Sequence, residues 1–512
     1  MTKAAPAVPE RFNASTLLDA NLAAGRAAKT ALRCGDEQLT YGELYAQACR
    51  FASLLDELRV GRGERVLIAL DDCGSFPAAF LGAMRAGAVP IPVNPFYHGD
   101  EFAYFLEHSG SRAVITGGAC ADAVIAAAAG RIDRSHVLSV DGERDGASDL
   151  WAAAASLASD VEPADTNRDD PAFWLYSSGS TGRPKGVVHL QRDIAATCET
   201  YGKNVLQLEE SDVTFSTTKL FHAYGLGNNL SFPFAVGASV VLLSGRATPE
   251  AVFATVEQFR PTLFFSAPTL YNLLLRADDQ DADLSSVRLC ISAAEPLPAN
   301  IWERWKERHD LVILDGIGST EMLHIYCSNT VGDVAPGSSG RPVPGYDMKL
   351  VENEVELSGA GVGDLWVRGE SAFAEYWNDP GRTRDSIRDG WFYTRDRYRR
   401  DDDGRYWYEG RSDDMFKVNG LWVSPAQVEA ALLDHPAVAE SAVVATHVEG
   451  LQRAKAFVVL RTDARADAEE LHAFCESRLH RYEVPDAYVF VDDLPKTLTG
   501  KIQRFLLRDD QA

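Results

Sequence analysis

Short apolar runs alternate with longer amphipathic segments through the first third of the chain, and few architectures accept that order. Tyr41 to Leu58 carries helical periodicity, Arg65 to Leu70 reads as a strand, and Phe76 to Arg85 as a helix. Ala88 to Val93 and Ala113 to Thr116 are further strands. Such alternation predicts parallel sheets flanked by helices. Cys120–Ala129 and Leu150–Ala158 read as Ala-rich helices, Asp160–Asp170 as an acidic connection, and Phe173–Tyr176 as a strand entering a Gly/Ser loop. Ser239–Leu243, Leu263–Ser266, Leu289–Ser292 and Leu311–Leu314 continue the strand series. From Gly369 the texture turns aromatic and turn-punctuated, as in Trp391-Phe392-Tyr393 and Tyr406-Trp407-Tyr408. The tail from Arg411 holds helices at Pro425–Asp434 and Ala468–Leu479, with strands at Ala439–Ala445, Lys455–Leu460 and Ala487–Val491. That is enough for a small α+β domain of its own.

Composition narrows the function classes. A length of 512 residues calls for two or more domains. The formal charge of −24, from 50 basic and 74 acidic residues, argues against a nucleic-acid surface, which needs clustered cations. A local pocket for anionic cofactors remains compatible with it. None of the eight cysteines forms a CxxC pair, so neither a zinc site nor a disulfide scaffold is expected. The N-terminal MTKAAPAVPERFN lacks an apolar signal core, and no run of about 18 apolar residues suggests a membrane span. A cytoplasmic enzyme is the expectation.

Residues 177–186 read SSGSTGRPKG. Gly179, Gly182 and Gly186 let backbone approach a ligand, and successive N–H groups in such a loop form a nest for anions. Ser177, Ser178, Ser180 and Thr181 add hydroxyls, and Lys185 adds a cation on a flexible stem. A Walker loop is excluded, because Gly186 follows the lysine where Ser or Thr is required. The string resembles the signature of the adenylate-forming superfamily of acyl- and aryl-CoA synthetases, luciferases and peptide-synthetase adenylation domains. The resemblance runs over nearly the whole chain, and is strongest to the benzoate–CoA ligase type. It is carried there by Leu175-Tyr176-Ser177-Ser178, Tyr224-Gly225-Leu226-Gly227-Asn228 and Gly316 to Ile325.

The resemblance implies an α/β fold: a large N-terminal domain of parallel-type sheets flanked by helices plus a β-subdomain, and a small mobile α+β C-terminal domain. The boundaries are 1–410 for the adenylation domain, 411–414 for the hinge with Asp413 at its pivot, and 415–512 for the domain of the catalytic lysine. Loops after apolar strands at Ser292–Pro296 and Asp315–Ile317 sit where open α/β sheets bind nucleotides. By resemblance Ala294, Glu295, Asp315, Gly316 and Ile317 wall the adenine, Thr320 touches phosphate, and Glu321 carries Mg²⁺, which favours carboxylate and phosphate oxygens. Asp396 and Arg411 match ribose or phosphate contacts. Arg395 stands where the family usually has Gly or another small residue, and Ala294 where benzoate-type relatives have Gly.

Gly500 lets the chain present Lys501 from a loop, and the resemblance makes Lys501 the ammonium that offsets two approaching anions during adenylation. Lys496 reads as surface. The same resemblance implies that Lys417, Asn419 and Gly420 face the coenzyme A tunnel. It implies an acid pocket of His222, Ala223, Tyr224, Gly318, His324 and Ile325. A lone histidine beside Phe and Tyr is ordinarily packed core, but the family context gives His222 a carboxylate-contacting, catalytic role alongside Thr320, Glu321 and Lys501. The implied activity converts an aromatic carboxylate, benzoate or a substituted benzoate, to aryl-AMP and then aryl-CoA, with ATP, Mg²⁺ and coenzyme A. The alternative is a standalone enzyme loading an aryl acid onto a carrier-protein phosphopantetheine. No nucleic-acid or membrane partner is expected, and a homodimer is left open.

Overall fold

Backbone contacts divide the chain into two units. The first comprises the N-terminal part up to the Gly/Ser loop, Arg183–Asp347 and Arg368–Phe392; the second comprises Met348–Val367 and the chain from Tyr393. The computed structural model describes residues 8–177, 183–277, 282–418, 421–448, 451–462, 464–496 and 502–508.

In the first unit the alternating segments form two large sheets. The five-stranded sheet runs Val89–Pro92, Arg65–Ala69, Ala113–Thr116, Val137–Ser139, Ser148–Asp149, all parallel. Parallel neighbours need crossovers, and the helices Ser75–Arg85 and Gly99–Ser109 supply two of them. Phe76 to Arg85 is buried on every face, the signature of a helix packed from all sides. The nine-stranded sheet has parallel neighbours from Ile313–Gly318 through Leu289–Ser292, Leu263–Ser266, Val213–Ser216 and Ser239–Leu242 to Thr30–Cys34. Antiparallel strands close both of its edges. Its register places Ser266, Ser292 and Asp315 side by side at the strands' carboxyl ends. Phe215, Val241, Phe264, Cys290 and Ile313 pack there against Phe253, Tyr271, Leu274 and Trp305 of the covering helices.

A third, antiparallel sheet holds Pro171–Ser177, Lys185–Leu190 and Glu375–Tyr376. Trp174 and Val188 join the core beneath the five-stranded sheet, beside Leu67, Ile91, Phe102 and Val114. Burial of that kind, worth about 1.5–3 kcal/mol for a large apolar side chain, anchors the hairpin on which the Gly/Ser loop rides.

In the second unit, Trp391–Arg400 pairs with Tyr406–Arg411. The tail adds the helices Pro425–Leu433 and Ala468–Glu476 and a sheet of Val438–Val448, Leu451–Leu460 and Ala487–Phe490. Val428, Leu432, Val443, Val458, Leu471 and Cys475 form its core. No helix among the described residues is long and apolar enough to cross a membrane.

Three features differ from the sequence expectation. The strand before the Gly/Ser loop belongs to an antiparallel hairpin, with Ser177 opposite Lys185, instead of a parallel sheet. Asp315, Gly316 and Ile317 lie within a strand, not in the loop after one, because Ile325–Ser328 pairs back onto them and prolongs the ladder. The strands Asp347–Glu352 and Gly361–Arg368 escape a pattern reading because their exposed residues blur the alternation.

Candidate active site

The hairpin sets Lys185 at the base of the Gly/Ser loop. Its Nζ stands 3.2 Å from Glu321 Oε1 and 3.1 Å from the Tyr376 hydroxyl, and 4.2 Å above the Tyr376 ring centroid. The same hydroxyl donates to Glu321 Oε1 at 2.8 Å. Glu321 is only 8% exposed. Burial pushes its carboxyl upward, but the Lys185 ammonium and the Tyr376 hydroxyl outweigh that and hold it below the ordinary range. An ionised, oriented carboxylate results. Tyr376 was not singled out from sequence. It lies 191 residues from Lys185, and only its strand pairing with Val187 brings it there.

The turn that carries Glu321, Thr320–Met322, is fastened from four sides. Ser319 caps it by accepting from Met322 N at 3.2 Å. Phe373 N donates to the Glu321 carbonyl at 2.8 Å and Ser371 Oγ to the Met322 carbonyl at 2.8 Å. His189 Nε2 lies 2.8 Å from the Thr320 carbonyl, and its Nδ1 lies 2.8 Å from Asp193 Oδ2. A carbonyl can only accept, so Nε2 carries the hydrogen. His189, Asp193 and Ser371 are supporting residues that sequence reasoning missed. The spacing His189–Asp193 marks a helix-start pair at most, and nothing local names Thr320 as the target. Leu323 closes the turn at φ +64° and ψ −35°, a costly conformation for a branched side chain.

The acid-pocket candidates lie together around His324. That ring is 3% exposed, and burial pushes its pKa down to about 3 against the opposing Tyr224 carbonyl. It is therefore neutral. Nε2 lies 3.1 Å from Asn228 Oδ1, while Nδ1 has no hydrogen-bond partner among the described residues. Tyr224, Tyr201 and Phe232 surround the ring, with centroids 5.4, 5.2 and 4.5 Å away. The Tyr224 hydroxyl is already committed to the Ile291 carbonyl at 3.2 Å. Ala223 and Ile325 are buried, and His222 is half-buried beside Phe221. Gly227 and Gly318 are small for packing reasons: a Cβ would come within 2.3 Å of His324 Cδ2 and 2.6 Å of the His324 carbonyl, respectively.

At the strand ends, Asp315 is 4% exposed and burial drives its carboxyl well above the ordinary range. It stands beside Ser292, its register partner. Ala294 is exposed and left-handed, at φ +77°. Glu295 accepts from Thr269 Oγ1 at 2.6 Å.

In the second unit Asp396 and Arg411 face each other across a strand pair, with Arg411 Nη1 at 3.0 Å from Asp396 Oδ1. Burial would lower the Arg411 pKa, and Asp396 more than reverses that, raising it. Thr394 Oγ1 accepts from Asp396 N at 3.1 Å. Arg395 between them is left-handed at φ +63°, so the departure from glycine noted in the sequence falls on a position whose backbone favours glycine. Asp413 is exposed in the turn after Arg411, and Lys417 is exposed on the Phe416–Val418 strand. Ser178, Gly179, Ser180, Thr181, Gly182, Asn419, Gly420, Gly500 and Lys501 lie outside the described residues.

A family model described as AMP-binding enzyme matches residues 20–377, and a second, described as AMP-binding enzyme C-terminal domain, matches residues 427–501. The chain belongs to the AMP-binding enzyme family. It is 43% identical over 511 residues to the benzoate–CoA ligase of Thauera aromatica, covering 98% of this chain and 96% of that one. A benzoate CoA ligase structure from Burkholderia xenovorans LB400 matches with a TM-score of 0.89 at 42% identity, over 97% of this chain and 99% of that one. The structure of the anthranilate CoA ligase AuaEII in complex with anthranoyl-AMP matches with a TM-score of 0.93 at 38% identity, over 98% of each chain.

Two outcomes follow for this AMP-binding enzyme. Tyr376→Phe strips one hydrogen bond from a buried carboxylate, worth about 1–3 kcal/mol, so pyrophosphate exchange is expected to fall roughly tenfold or more. Ala294→Gly relieves a left-handed alanine and is expected to stabilise the fold by up to about 1 kcal/mol, read as a raised melting temperature. A lowered melting temperature would show that the methyl group packs usefully.

Proposed function

We propose that this AMP-binding enzyme joins an aromatic carboxylate, benzoate or a substituted benzoate, to coenzyme A in two steps. The carboxylate attacks the α-phosphorus of ATP, forming an aryl–adenylate bond and releasing pyrophosphate. The thiolate of coenzyme A then attacks the acyl carbon, and AMP leaves. The observation that carries this reading is the end-to-end similarity to the Thauera benzoate–CoA ligase.

The residues fit the chemistry in outline. Lys185 and Thr320, with Ser177 and the loop to Gly182, are assigned to the phosphates. Ala294, Glu295 and the Asp315–Ile317 backbone are assigned to the adenine, and Asp396 and Arg411 to the ribose. Burial raises the Asp315 carboxyl and so disfavours a charge beside the base. His222, Ala223, Tyr224, Gly318, His324 and Ile325 are assigned to the acid. Neutral His324 and the surrounding aromatic rings favour a flat apolar group over a charged one.

Glu321 fits a magnesium ion. It is one ionised oxygen donor, and no group of three or more His, Cys, Asp or Glu residues that could hold a metal occurs among the described residues. That matches an ion completing its shell with phosphate oxygens and water. When bound, the ion neutralises phosphate charge. Lys185 holds Glu321 in place meanwhile, and Tyr376 fixes the carboxylate's direction.

Lys501 is assigned to the first step, where its ammonium offsets the repulsion between carboxylate and α-phosphate. Residues 1–410 and 415–512 act as separate domains, with 411–414 and Asp413 as the hinge between the two half-reactions. Lys417, Asn419 and Gly420 are assigned to coenzyme A. The demand for ATP and coenzyme A accords with a cytoplasmic enzyme.

An AMP-release screen over substituted benzoates, with hexanoate as control and free coenzyme A against a phosphopantetheinylated carrier protein as acceptor, tests the assignment. Benzoates are expected to exceed hexanoate by about 100-fold in kcat/KM, a few kcal/mol of pocket discrimination. Turnover on hexanoate alone would remove the aryl reading, and transfer to the carrier alone would replace coenzyme A. Lys501→Ala is expected to slow adenylation about 100- to 1000-fold while leaving thioester formation from supplied aryl-AMP within tenfold. Equal losses in both steps would dissolve the division of labour.

A further inference from the structure

The loop that leads into the acid pocket is held from outside by a pair of aspartates that no catalytic role has absorbed. Asp71 and Asp72 follow the Arg65–Ala69 strand of the five-stranded sheet. Asp72 is 1% exposed, and its Oδ1 accepts the backbone N–H of Leu220 at 2.9 Å across 148 residues of sequence. Leu220 stands two residues before His222. Asp71 completes the clasp. Its Oδ1 is 2.9 Å from Lys219 Nζ, and its Oδ2 accepts Gly245 N at 2.6 Å. Lys219 Nζ also donates to the Leu243 carbonyl, and Ser244 Oγ donates to the Asp72 carbonyl at 2.6 Å. The 219–222 turn, the strand end at 243–245 and the five-stranded sheet therefore meet at one point.

Within the loop itself, Ser216 Oγ accepts from Thr218 N at 3.2 Å and donates to the Thr218 carbonyl at 3.1 Å. The His222 N–H closes a turn on the Lys219 carbonyl at 3.0 Å. The helix that follows has no slack, because a Cβ on Gly225 would come within 2.1 Å of the Lys219 carbonyl. A shift at Leu220 is thus carried into His222, Ala223 and Tyr224.

We propose that Asp72 is a positioning residue for the acid-binding loop, setting through the Leu220 N–H where His222 and Tyr224 stand. Its chemistry makes the positioning pH-dependent. Burial pushes the Asp72 carboxyl up to about 7; the Lys219 ammonium and the Leu220 N–H oppose the rise, and Asp71 adds to it. The Cys34 thiol, which points at the Asp72 carbonyl from the Thr30–Cys34 strand, the adjoining Cys73 thiol, pushed up by burial to about 12, and Glu37, which accepts Gly74 N, are further titratable groups around it. Oδ2 has no hydrogen-bond partner among the described residues, so a charge on the carboxyl is compensated by the Lys219 ammonium and, at Oδ1, by the Leu220 N–H. Below pH 7 the neutral acid offers Leu220 an ordinary acceptor. Above it the carboxylate makes a charge-assisted bond of roughly twice the strength. The sign for stability is opposite. A carboxyl whose folded pKa lies above its unfolded one contributes stability at low pH, and that contribution is lost as pH rises toward 7.

The identity of the acid rests on the aryl-carboxylate reading; the positioning does not. Asp72→Asn keeps the shape and one acceptor but cannot ionise. In pyrophosphate exchange its KM for benzoate is expected to equal the wild type's at pH 6 and to exceed it about fivefold at pH 8.5, with KM for ATP unchanged. The variant's melting temperature at pH 8.5 is expected to stay at or above wild type. Hydrogen exchange of the 217–224 segment, which needs no substrate, is expected to be faster in the variant at pH 8.5 and equal at pH 6. Unchanged exchange and an unchanged acid KM at both pH values would overturn the proposal, as would equal losses in the KM of acid and ATP. Exchange that responds in a wild type inactive on every benzoate would leave the positioning standing and remove the aryl reading. If Asp72→Asn fails to fold, Lys219→Met decides. Loss of the ammonium is expected to move the inflection in acid KM upward from pH 7, and an inflection that stays put overturns the proposal.

Discussion

A buried carboxylate without a cation is costly, and much of the first unit is arranged around one. Glu321 is nearly sealed from solvent. It keeps its charge because Lys185 and Tyr376 reach the same oxygen. Removing one partner of a buried pair typically costs about 3–5 kcal/mol, because the remaining charge is stranded. Three separate chain segments must therefore converge: the hairpin that presents Lys185, the short strand that presents Tyr376, and the turn that bears Glu321. The antiparallel sheet exists at that place to bring the first two together. The Trp174 and Val188 side chains tie it to the apolar core, so the position of the charge pair is inherited from packing.

Positive φ at residues other than glycine recurs along the chain. Ala294, Leu323 and Arg395 are three such positions, at +77°, +64° and +63°. Tertiary contacts hold the last two in place: Ser319 and Ser371 bond Met322 beside Leu323, and Ser412 N donates to the Arg395 carbonyl at 2.9 Å. Such outliers persist only where the surroundings over-determine the backbone.

The site also divides by polarity. Around Lys185 and Glu321 charge is kept by pairing. Around His324, Tyr224 and Asp315 burial disfavours the charged form of each group. A ligand with a charged phosphate end and a flat apolar end matches such a division better than one charged throughout. His324 shows how the neutral side is tuned, since burial outweighs the Tyr224 carbonyl and Nε2 lies 3.1 Å from Asn228 Oδ1.

Local pattern alone determined much of this protein. The strands Arg65–Ala69, Ala113–Thr116, Leu263–Ser266 and Leu289–Ser292 and the helices Tyr41–Glu57 and Pro425–Leu433 stand within a residue or two of where their periodicity puts them, because burial on one face or both is written directly into residue order. A motif whose residue types suit phosphate, metal and ribose singled out the Gly/Ser loop, Glu321 and Asp396; of these the structure describes Glu321 paired with Lys185 and Asp396 facing Arg411. Partners across long sequence gaps were not legible. Tyr376 at Lys185, His189 at Thr320 and Asp72 at Leu220 are each ordinary in their own segments and acquire a role only through strand register and sheet packing. The antiparallel hairpin, the prolonged Ile313–Gly318 strand and the upward push on the Asp315 carboxyl were likewise decided by tertiary structure. Pairing partners and the loss of water around a group depend on what the fold brings near, and no local stretch of sequence contains that information.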